Sequence, residues 1–371
     1  MKFWYRLMFL PILIFALVGC SDDDENKDND NLESVEVEDG KVTQFQKHTT
    51  GNGIPIVIMC DGFSDMDIAS GKYRRATTMA FDALFSVHPM TSLREYFDVY
   101  EVTAVSSYSS DVSQSESTAS NAREENVISY TEYAHKAIAE ERFDDAVIVV
   151  ISNKDFRSYC NLNWPDSYSD IPTGIAIAFV SCTLSLEENI EILYSTFPAV
   201  VLHEVIGHGF AKLADEYVEE GAEWDNYDSG KKSLIECQKY GYYRNVSYDS
   251  DVTKSNWADF AADSRYDFEK LGCYEGGYYQ EKGVYRPTEN SIMNHTSSSS
   301  YFNVISRVMI YKRCMKLAYG DSWEFNYEDF VNFDLEKAKV AYKAYLSQNP
   351  NLASSKYHGA PPRFVKIKTL R

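Results

Sequence analysis

The stretch His203-Glu204-Val205-Ile206-Gly207-His208 places two histidines and a carboxylate within one apolar segment of the chain. A zinc ion needs neutral imidazole nitrogens that converge on one point, and a single helix can supply two of them. Zinc lowers the pKa of water, and a neighbouring carboxylate can then take the proton during attack on a carbonyl. The chain has only seven histidines, and a buried Glu204 needs a partner. These residues therefore indicate a metal site rather than ordinary packing.

The two histidines lie five residues apart, one more than in the HExxH signature of zinc peptidases, which the stretch resembles. Histidines four apart on an ideal helix are separated by ~40° around the axis, whereas those five apart are separated by ~140°. Both can face one metal only if the helix bulges locally, as a π-bulge does by absorbing an extra residue. Gly207 would ease that distortion. We expect His203 and His208 to bind zinc and Glu204 to be the catalytic base.

Residues 208–217 read HGFAKLADEY and resemble the IgA metallopeptidase family, a family of zinc endopeptidases with metzincin character. Three further stretches carry the resemblance: Asp61-Gly62-Phe63, residues 97–100 (FDVY) and residues 285–293 (YRPTENSIM). The resemblance implies an α/β fold, with a metzincin-like zinc peptidase domain that has a layered mixed sheet, an active-site helix and a less regular C-terminal lobe. It also implies that the substrate is a protein or peptide.

The third zinc ligand is expected to be acidic, and Asp215 and Glu216 are adjacent candidates. In a metzincin, a glycine three residues after the second histidine turns the chain toward the third ligand, but this chain has Ala211 there. If Gly209 provides the bend, Asp215 is the expected ligand and Glu216 braces the site. If the helix instead continues through Leu213, both acids lie ~10 to 12 Å along its axis from the second histidine and neither can ligate.

Ser291-Ile292-Met293 resembles the Met-turn of metzincins, in which a methionine packs beneath the metal-binding histidines. The alternative is that Met293 is an ordinary core methionine in a loop. His295 follows two residues later and is a further candidate for a supporting position beside the metal or the substrate. The Tyr-rich residues 274–285 fit either a substrate cleft or a packed lobe.

The N-terminal residues read as a targeting segment. Lys2 and Arg6 precede the apolar residues 7–18, and Leu17-Val18-Gly19-Cys20 resembles a bacterial lipobox. This predicts a signal peptide over residues 1–19 and acylation of Cys20, which would hold the protein to a membrane by its lipid anchor only. The alternative is an ordinary secretory signal with an incidental cysteine.

Residues 20–45 are acidic and predict a disordered tether. An acidic stretch directly after the lipidated cysteine also resembles the surface-export signal of Bacteroidetes lipoproteins. It suggests an outer-membrane lipoprotein at the cell surface, or otherwise one that faces the periplasm.

The composition excludes some classes of partner. The chain of 371 residues has a formal net charge of −20, so it repels phosphate backbones and nucleic acid is not expected as a partner. Six cysteines follow Cys20. Disulfides are permitted in an exported protein, but the sequence cannot choose among the possible pairings.

Apolar segments that alternate with helical patterns predict a layered core with helices on both faces of a sheet. We expect residues 46–217 to form an α/β catalytic domain, and residues 218–371 to form a C-terminal lobe of the same unit that is irregular up to about residue 287. The predicted strands are 54–59, 98–105, 145–152 and 174–181, and the predicted helices are 73–85, 125–141, 197–213, 302–317 and 335–346.

These patterns favour a zinc-dependent metallopeptidase acting on extracellular proteins. The main alternative is a catalytically weak surface lipoprotein that binds a host glycan or protein through the same cleft. Glu204 argues against this alternative, because a binding protein has no need of a base beside the metal. A third possibility is a metal-dependent hydrolase that acts on a bond other than a peptide bond.

Overall fold

Long apolar strands form the centre of the protein. In the computed structural model, the described residues are 37–107, 124–154, 156–182, 196–219, 227–295, 301–347 and 360–367. Within them, one sheet has the strand order β1-β3-β2-β4-β6-β5-β9. Its strands are β1 (Val42–Gln46), β2 (Ile54–Asp61), β3 (Phe97–Val102), β4 (Val147–Ser152), β5 (Tyr159–Leu162), β6 (Ala176–Ser181) and β9 (Arg363–Phe364).

The four central strands are parallel, and antiparallel β1 and β5 flank them. Every residue of β2 and β4 is buried, as expected for strands that helices cover on both faces. On β2, Ile56 and Ile58 face one apolar cluster, whereas Val57 and Met59 face the other. The short β9 pairs in parallel with β5, so residues near the C-terminus return to the sheet.

Helices cover both faces of the sheet, which confirms the predicted α/β architecture. In chain order they are α1 (Asp65–Ala69), α2 (Lys72–Leu84), α3 (Met90–Leu93), α4 (Glu124–Ala134), α5 (Phe197–Val201), which continues as a π-helix (Leu202–Phe210), α6 (Tyr227–Lys239), α7 (Ala258–Ala261), α8 (Val304–Tyr319) and α9 (Tyr327–Ser347). Short 3-10 turns lie at Arg94–Tyr96, Glu140–Asp145, Val252–Lys254 and Ser264–Glu269. Helix α2, the π-helix and α8 contribute to one apolar cluster, and α4 contributes to the other.

The expectation of an irregular segment up to about residue 287 is wrong in part. Helix α6 lies there, and so does a hairpin of β7 (Tyr274–Gly277) and β8 (Gln280–Arg286). The predicted helix 125–141 ends at Ala134, and a separate 3-10 turn follows it. Most of β1 lies inside the predicted tether. Residues 1–36, which include the predicted signal peptide and Cys20, lie outside the described residues.

The six cysteines among the described residues are free, so none of the disulfides that an exported protein permits is formed between them. Five are buried and Cys273 is partly exposed. No helix of the described residues combines the length and apolar character that crossing a bilayer requires.

Candidate metal centre

The two histidines of the motif lie on one face of the π-helix. In this kind of helix the backbone hydrogen bonds join residues five apart, so His203 and His208 lie one above the other along the helix axis. Their Nε2 atoms are 3.1 Å apart, and the ring planes are nearly perpendicular, at 88°. The predicted local bulge is therefore present, and it extends over the whole of Leu202–Phe210.

Backbone carbonyls fix the orientation of both rings. Nδ1 of His203 lies 3.0 Å from the carbonyl oxygen of Ile292, and Nδ1 of His208 lies 2.8 Å from that of Leu213. A carbonyl can only accept, so each Nδ1 carries the proton of the neutral ring and each Nε2 presents a lone pair. Two electron-pair donors thus face each other in a buried site, an arrangement suited to a metal ion.

The chain turns sharply after the π-helix, at Lys212. This residue has a left-handed backbone with φ 53°, which is uncommon for a side chain of its size. Its buried Nζ donates to the carbonyl oxygen of Gly209 at 2.8 Å, which holds the turn closed. The alternative of a helix that continues through Leu213 is wrong, because the helix ends at Phe210. Gly209 does not make the bend, since it lies within the helix.

This turn brings Asp215 back to the histidines. Its Oδ1 lies 2.9 Å from Nε2 of His203 and 3.2 Å from Nε2 of His208. One ligand atom from each of these residues lies within 4.8 Å of the others, and all three residues are buried. Two imidazole nitrogens and one carboxylate oxygen are a donor set that fits a zinc ion.

Glu204 is fully buried beside this cluster, and no described residue hydrogen-bonds to either of its carboxylate oxygens. Burial raises its pKa to about 8. A buried carboxylate without a donor is costly, and such exceptions in native structures call for a functional explanation. A cation bound at the three ligand atoms would favour its ionised form.

Glu216 points away from the histidines and into a polar pocket. Its carboxylate accepts from Ser291 Oγ at 2.5 Å, from Asn245 Nδ2 at 3.0 Å and from Asn303 Nδ2 at 3.1 Å. Its backbone N–H donates to the carbonyl oxygen of Met293 at 2.8 Å. Glu216 therefore ties the segment after the turn to the Ser291–Met293 region.

Met293 is buried directly against the π-helix at Gly207, a residue that lies between the two histidines in the chain. A Cβ atom at Gly207 would lie 2.4 Å from Sδ of Met293, closer than any real contact. Gly207 thus lets the end of the Met293 side chain lie against the helix, in addition to easing the bulge. The backbone N–H of His295 donates to Ser291 within the same turn. The cluster of possible ligands found among the described residues does not include His295.

Sequence reasoning did not single out Tyr279, whose hydroxyl donates to Oδ2 of Asp215. The only signal was its place in the Tyr-rich stretch. Two further histidines have carboxylate partners in the structure: His48 pairs with Asp98 at 2.8 Å, and His88 pairs with Asp334 at 2.8 Å. His358 lies outside the described residues.

A sequence profile of the family described as IgA Peptidase M64 matches residues 44–266 and 260–312. The chain belongs to this family. The match covers more than half of the 371 residues and confirms the resemblance of HGFAKLADEY and its companion stretches. No curated protein matches the chain. Membership of the IgA peptidase M64 family implies protease activity on a protein or peptide and a metal ion. His203, His208 and Asp215 form the cluster that can hold that ion.

Proposed function

We propose that this chain is a zinc-dependent endopeptidase with metzincin-like architecture, which hydrolyses peptide bonds of extracellular proteins. The observation that carries the proposal is the buried Glu204 carboxylate, which has no hydrogen-bond partner among the described residues and lies beside three convergent ligand atoms. Membership of a peptidase family supports the reaction class, and the donor set of two imidazoles and a carboxylate supports zinc.

In this proposal His203 and His208 hold zinc through Nε2, and Asp215 holds it through Oδ1. When bound, zinc would polarise the scissile carbonyl and lower the pKa of water enough for attack at neutral pH. The protein positions these three ligands before the metal binds, because backbone carbonyls orient both rings and the turn at Lys212 brings Asp215 to them.

Glu204 has the role of the general base. Its unpartnered carboxylate oxygens can accept the proton of the attacking water and return it to the leaving amine. The side chain is rigidly placed, since it lies on the same buried π-helix as both histidines. Its burial excludes competing water from the carboxylate, which strengthens its interaction with any charge in the site.

The metzincin-like part of the proposal is supported by Met293. This residue follows Ser291-Ile292 in the chain, packs beneath the π-helix at Gly207 and accepts a backbone hydrogen bond from Glu216. Its position agrees with the role of a Met-turn, which is to support the metal-binding histidines from below. His295 stays a candidate for contact with the substrate.

The test is Glu204→Gln, with zinc content and hydrolysis of casein measured on the same samples. We expect full zinc and a loss of turnover on the order of 10²–10⁴-fold, because an amide cannot accept the proton. The matched control is Glu336→Gln, which removes an exposed carboxylate that pairs with Lys339 and should leave turnover unchanged. Retained hydrolysis with full zinc would remove Glu204 from the mechanism and favour the alternative of a binding protein.

We further propose that acylated Cys20 anchors the enzyme to the outer membrane, with the catalytic domain at the cell surface. The lipobox-like sequence and the acidic stretch after it support this location. Cys20→Ala should release the protein from the membrane fraction, because both acyl attachment points lie on that residue. A variant that still sediments with membranes after a salt wash would contradict the anchor. Protection of the wild type from protease shaving of intact cells would place it in the periplasm.

A further inference from the structure

The hairpin β7–β8 has a strained turn. Two residues, Tyr278 and Tyr279, join the strands, and both have positive φ, at 48° and 69°. Such turns normally carry Asn-Gly, because positive φ is unfavourable for bulky side chains. Two consecutive tyrosines in this conformation persist only where the surroundings hold them in place.

Backbone hydrogen bonds fasten the turn to the segment that follows the metal-binding helix. The N–H of Tyr278 donates to the carbonyl oxygen of Asp215 at 2.9 Å, and the N–H of Tyr279 donates to that of Tyr217 at 3.0 Å. The N–H of Glu219 donates back to the carbonyl oxygen of Tyr279 at 3.3 Å. The turn and the ligand-bearing segment are thus joined in both directions.

Close packing also holds the hairpin turn against residues 215–219. A Cβ atom at Gly276 would lie 2.8 Å from Cγ2 of Val218, so only glycine lets the hairpin lie this close to the segment. The rings of Tyr217 and Tyr279 meet edge to face, with their centroids 5.4 Å apart. These contacts fix the ring of Tyr279 and leave its hydroxyl group pointing at one partner.

That partner is Oδ2 of Asp215, the carboxylate oxygen that does not face the two histidines. The hydroxyl of Tyr279 donates to Oδ2 of Asp215, while Oδ1 of the same carboxylate faces Nε2 of His203 and of His208. The two oxygens therefore have separate partners, one on the hairpin and one in the metal cluster. A carboxylate held in this way is oriented with one oxygen directed to the ion before it arrives.

We propose that Tyr279 is a positioning residue for zinc, which acts by holding the carboxylate of Asp215 in its ligating orientation. The inference rests on the proposed zinc-peptidase function, because it assigns Tyr279 a role only at that metal site. It predicts that the hydroxyl of Tyr279 contributes to zinc affinity although it makes no contact with the metal ion.

The experiment measures the zinc dissociation constant of the full chain by competition with a chromogenic chelator. Tyr279→Phe keeps the ring and removes the hydroxyl group, and should weaken zinc binding by about 10–100-fold. The matched control is Tyr274→Phe, at the start of the same hairpin, where the lost hydroxyl donates to the carbonyl oxygen of Lys270 at 2.8 Å. This control should leave zinc affinity unchanged. Circular dichroism confirms that each variant is folded at the temperature used.

A second comparison tests whether the effect passes through the ligand. In an Asp215→Asn background, adding Tyr279→Phe should change zinc affinity by less than about twofold, because the oriented carboxylate is already gone. An independent loss of about 10-fold or more in that background would overturn the inference.

Other outcomes separate the inference from the function on which it rests. If the wild type binds zinc and Tyr279→Phe binds it equally well, the inference is overturned and the zinc site stands. If that variant binds zinc normally but has lost turnover, Tyr279 acts on the substrate and the positioning role is also overturned. A wild type without zinc affinity would overturn the proposed function itself.

Discussion

Two buried polar clusters among the described residues pair histidine with aspartate, and they differ in how completely their charges are satisfied. In the C-terminal helices, Arg307 donates to both carboxylate oxygens of Asp334, at 2.7 and 2.8 Å, and to Glu269 at 2.7 Å. It also donates to Tyr301 at 2.7 Å, and His88 lies 2.8 Å from Asp334. We call this the closed cluster, because each of its carboxylates faces a cationic or hydrogen-bonding partner.

We call the cluster on the π-helix the open cluster, because its buried polar groups are not all satisfied by one another. Nε2 of His203 faces Nε2 of His208 and Oδ1 of Asp215, and Glu204 has no hydrogen-bond partner among the described residues. Buried polar groups are stable only when they are satisfied. The closed cluster meets this condition internally, whereas the open cluster needs a cation. The arrangement of donors and acceptors, rather than the residue types, therefore separates a structural site from a metal site.

The largest expected effect is on zinc binding in the open cluster. Asp215→Asn should weaken zinc affinity by more than about 100-fold, because loss of an outer hydrogen-bond partner alone costs about 10–100-fold. Glu216→Gln should keep zinc and mainly lower stability, because the Glu216 carboxylate serves Ser291, Asn245 and Asn303. Chelator competition and urea unfolding measure the two effects. If the two variants ranked in the opposite order for zinc affinity, the ligand would be Glu216.

The second expected effect is on the stability of the closed cluster. Arg307→Met should lower the free energy of unfolding by about 3–5 kcal/mol, because it leaves two buried carboxylates without their cation. Zinc affinity of the folded variant should equal that of the wild type, as determined by chelator competition. A variant that lost zinc but kept its stability would show that the two clusters do not have the separate roles assigned to them.

A smaller effect is expected where the π-helix meets Met293. Gly207→Ala should lower the free energy of unfolding by about 1–3 kcal/mol, because the added methyl group overpacks a filled core. Met293→Ala in the same chain should recover part of that loss by opening space for the methyl group. Urea unfolding of the two single variants and the double variant gives the coupling. Additive losses would contradict the close contact of Gly207 with Met293.

The smallest effect concerns pH and the closed cluster. Burial lowers the pKa of His88, although Asp334 opposes the shift; Arg307 and Lys337 also lower it. A histidine with a lowered pKa binds a proton less readily in the folded than in the unfolded protein, so stability decreases as pH falls below its unfolded pKa of about 6.5. His88→Gln should reduce the loss of stability of the metal-free protein between about pH 7 and about pH 5. An unchanged pH dependence would show that His88 does not titrate with folding.

The sequence predicts most of the sheet and the helix that carries the histidines. Strands β2, β4 and β6 are continuous apolar runs, which the pattern alone identifies. The five-residue spacing of His203 and His208 also required a bulged helix, and the structure contains one. These features could be predicted because local periodicity determines them.

The features that were missed depend on contacts distant in sequence. Strands β1 and β9 are short and partly exposed, and they form only because they pair with β3 and β5. The turn at Lys212 replaces the expected glycine, and no local pattern indicates a left-handed lysine. Tyr279 reaches Asp215 from 64 residues away, so its contact could not be inferred from spacing.

A crystal structure of the full chain, with anomalous data collected on both sides of the zinc absorption edge, tests the assignment of the zinc site most directly. We predict an anomalous peak between Nε2 of His203, Nε2 of His208 and Oδ1 of Asp215, with nitrogen and oxygen ligands at about 2.0–2.2 Å. The Glu204 carboxylate should lie near the peak without ligating it. An absence of signal in zinc-supplemented crystals, or a peak ligated by other residues, would contradict the central claim that the open cluster is the catalytic zinc site.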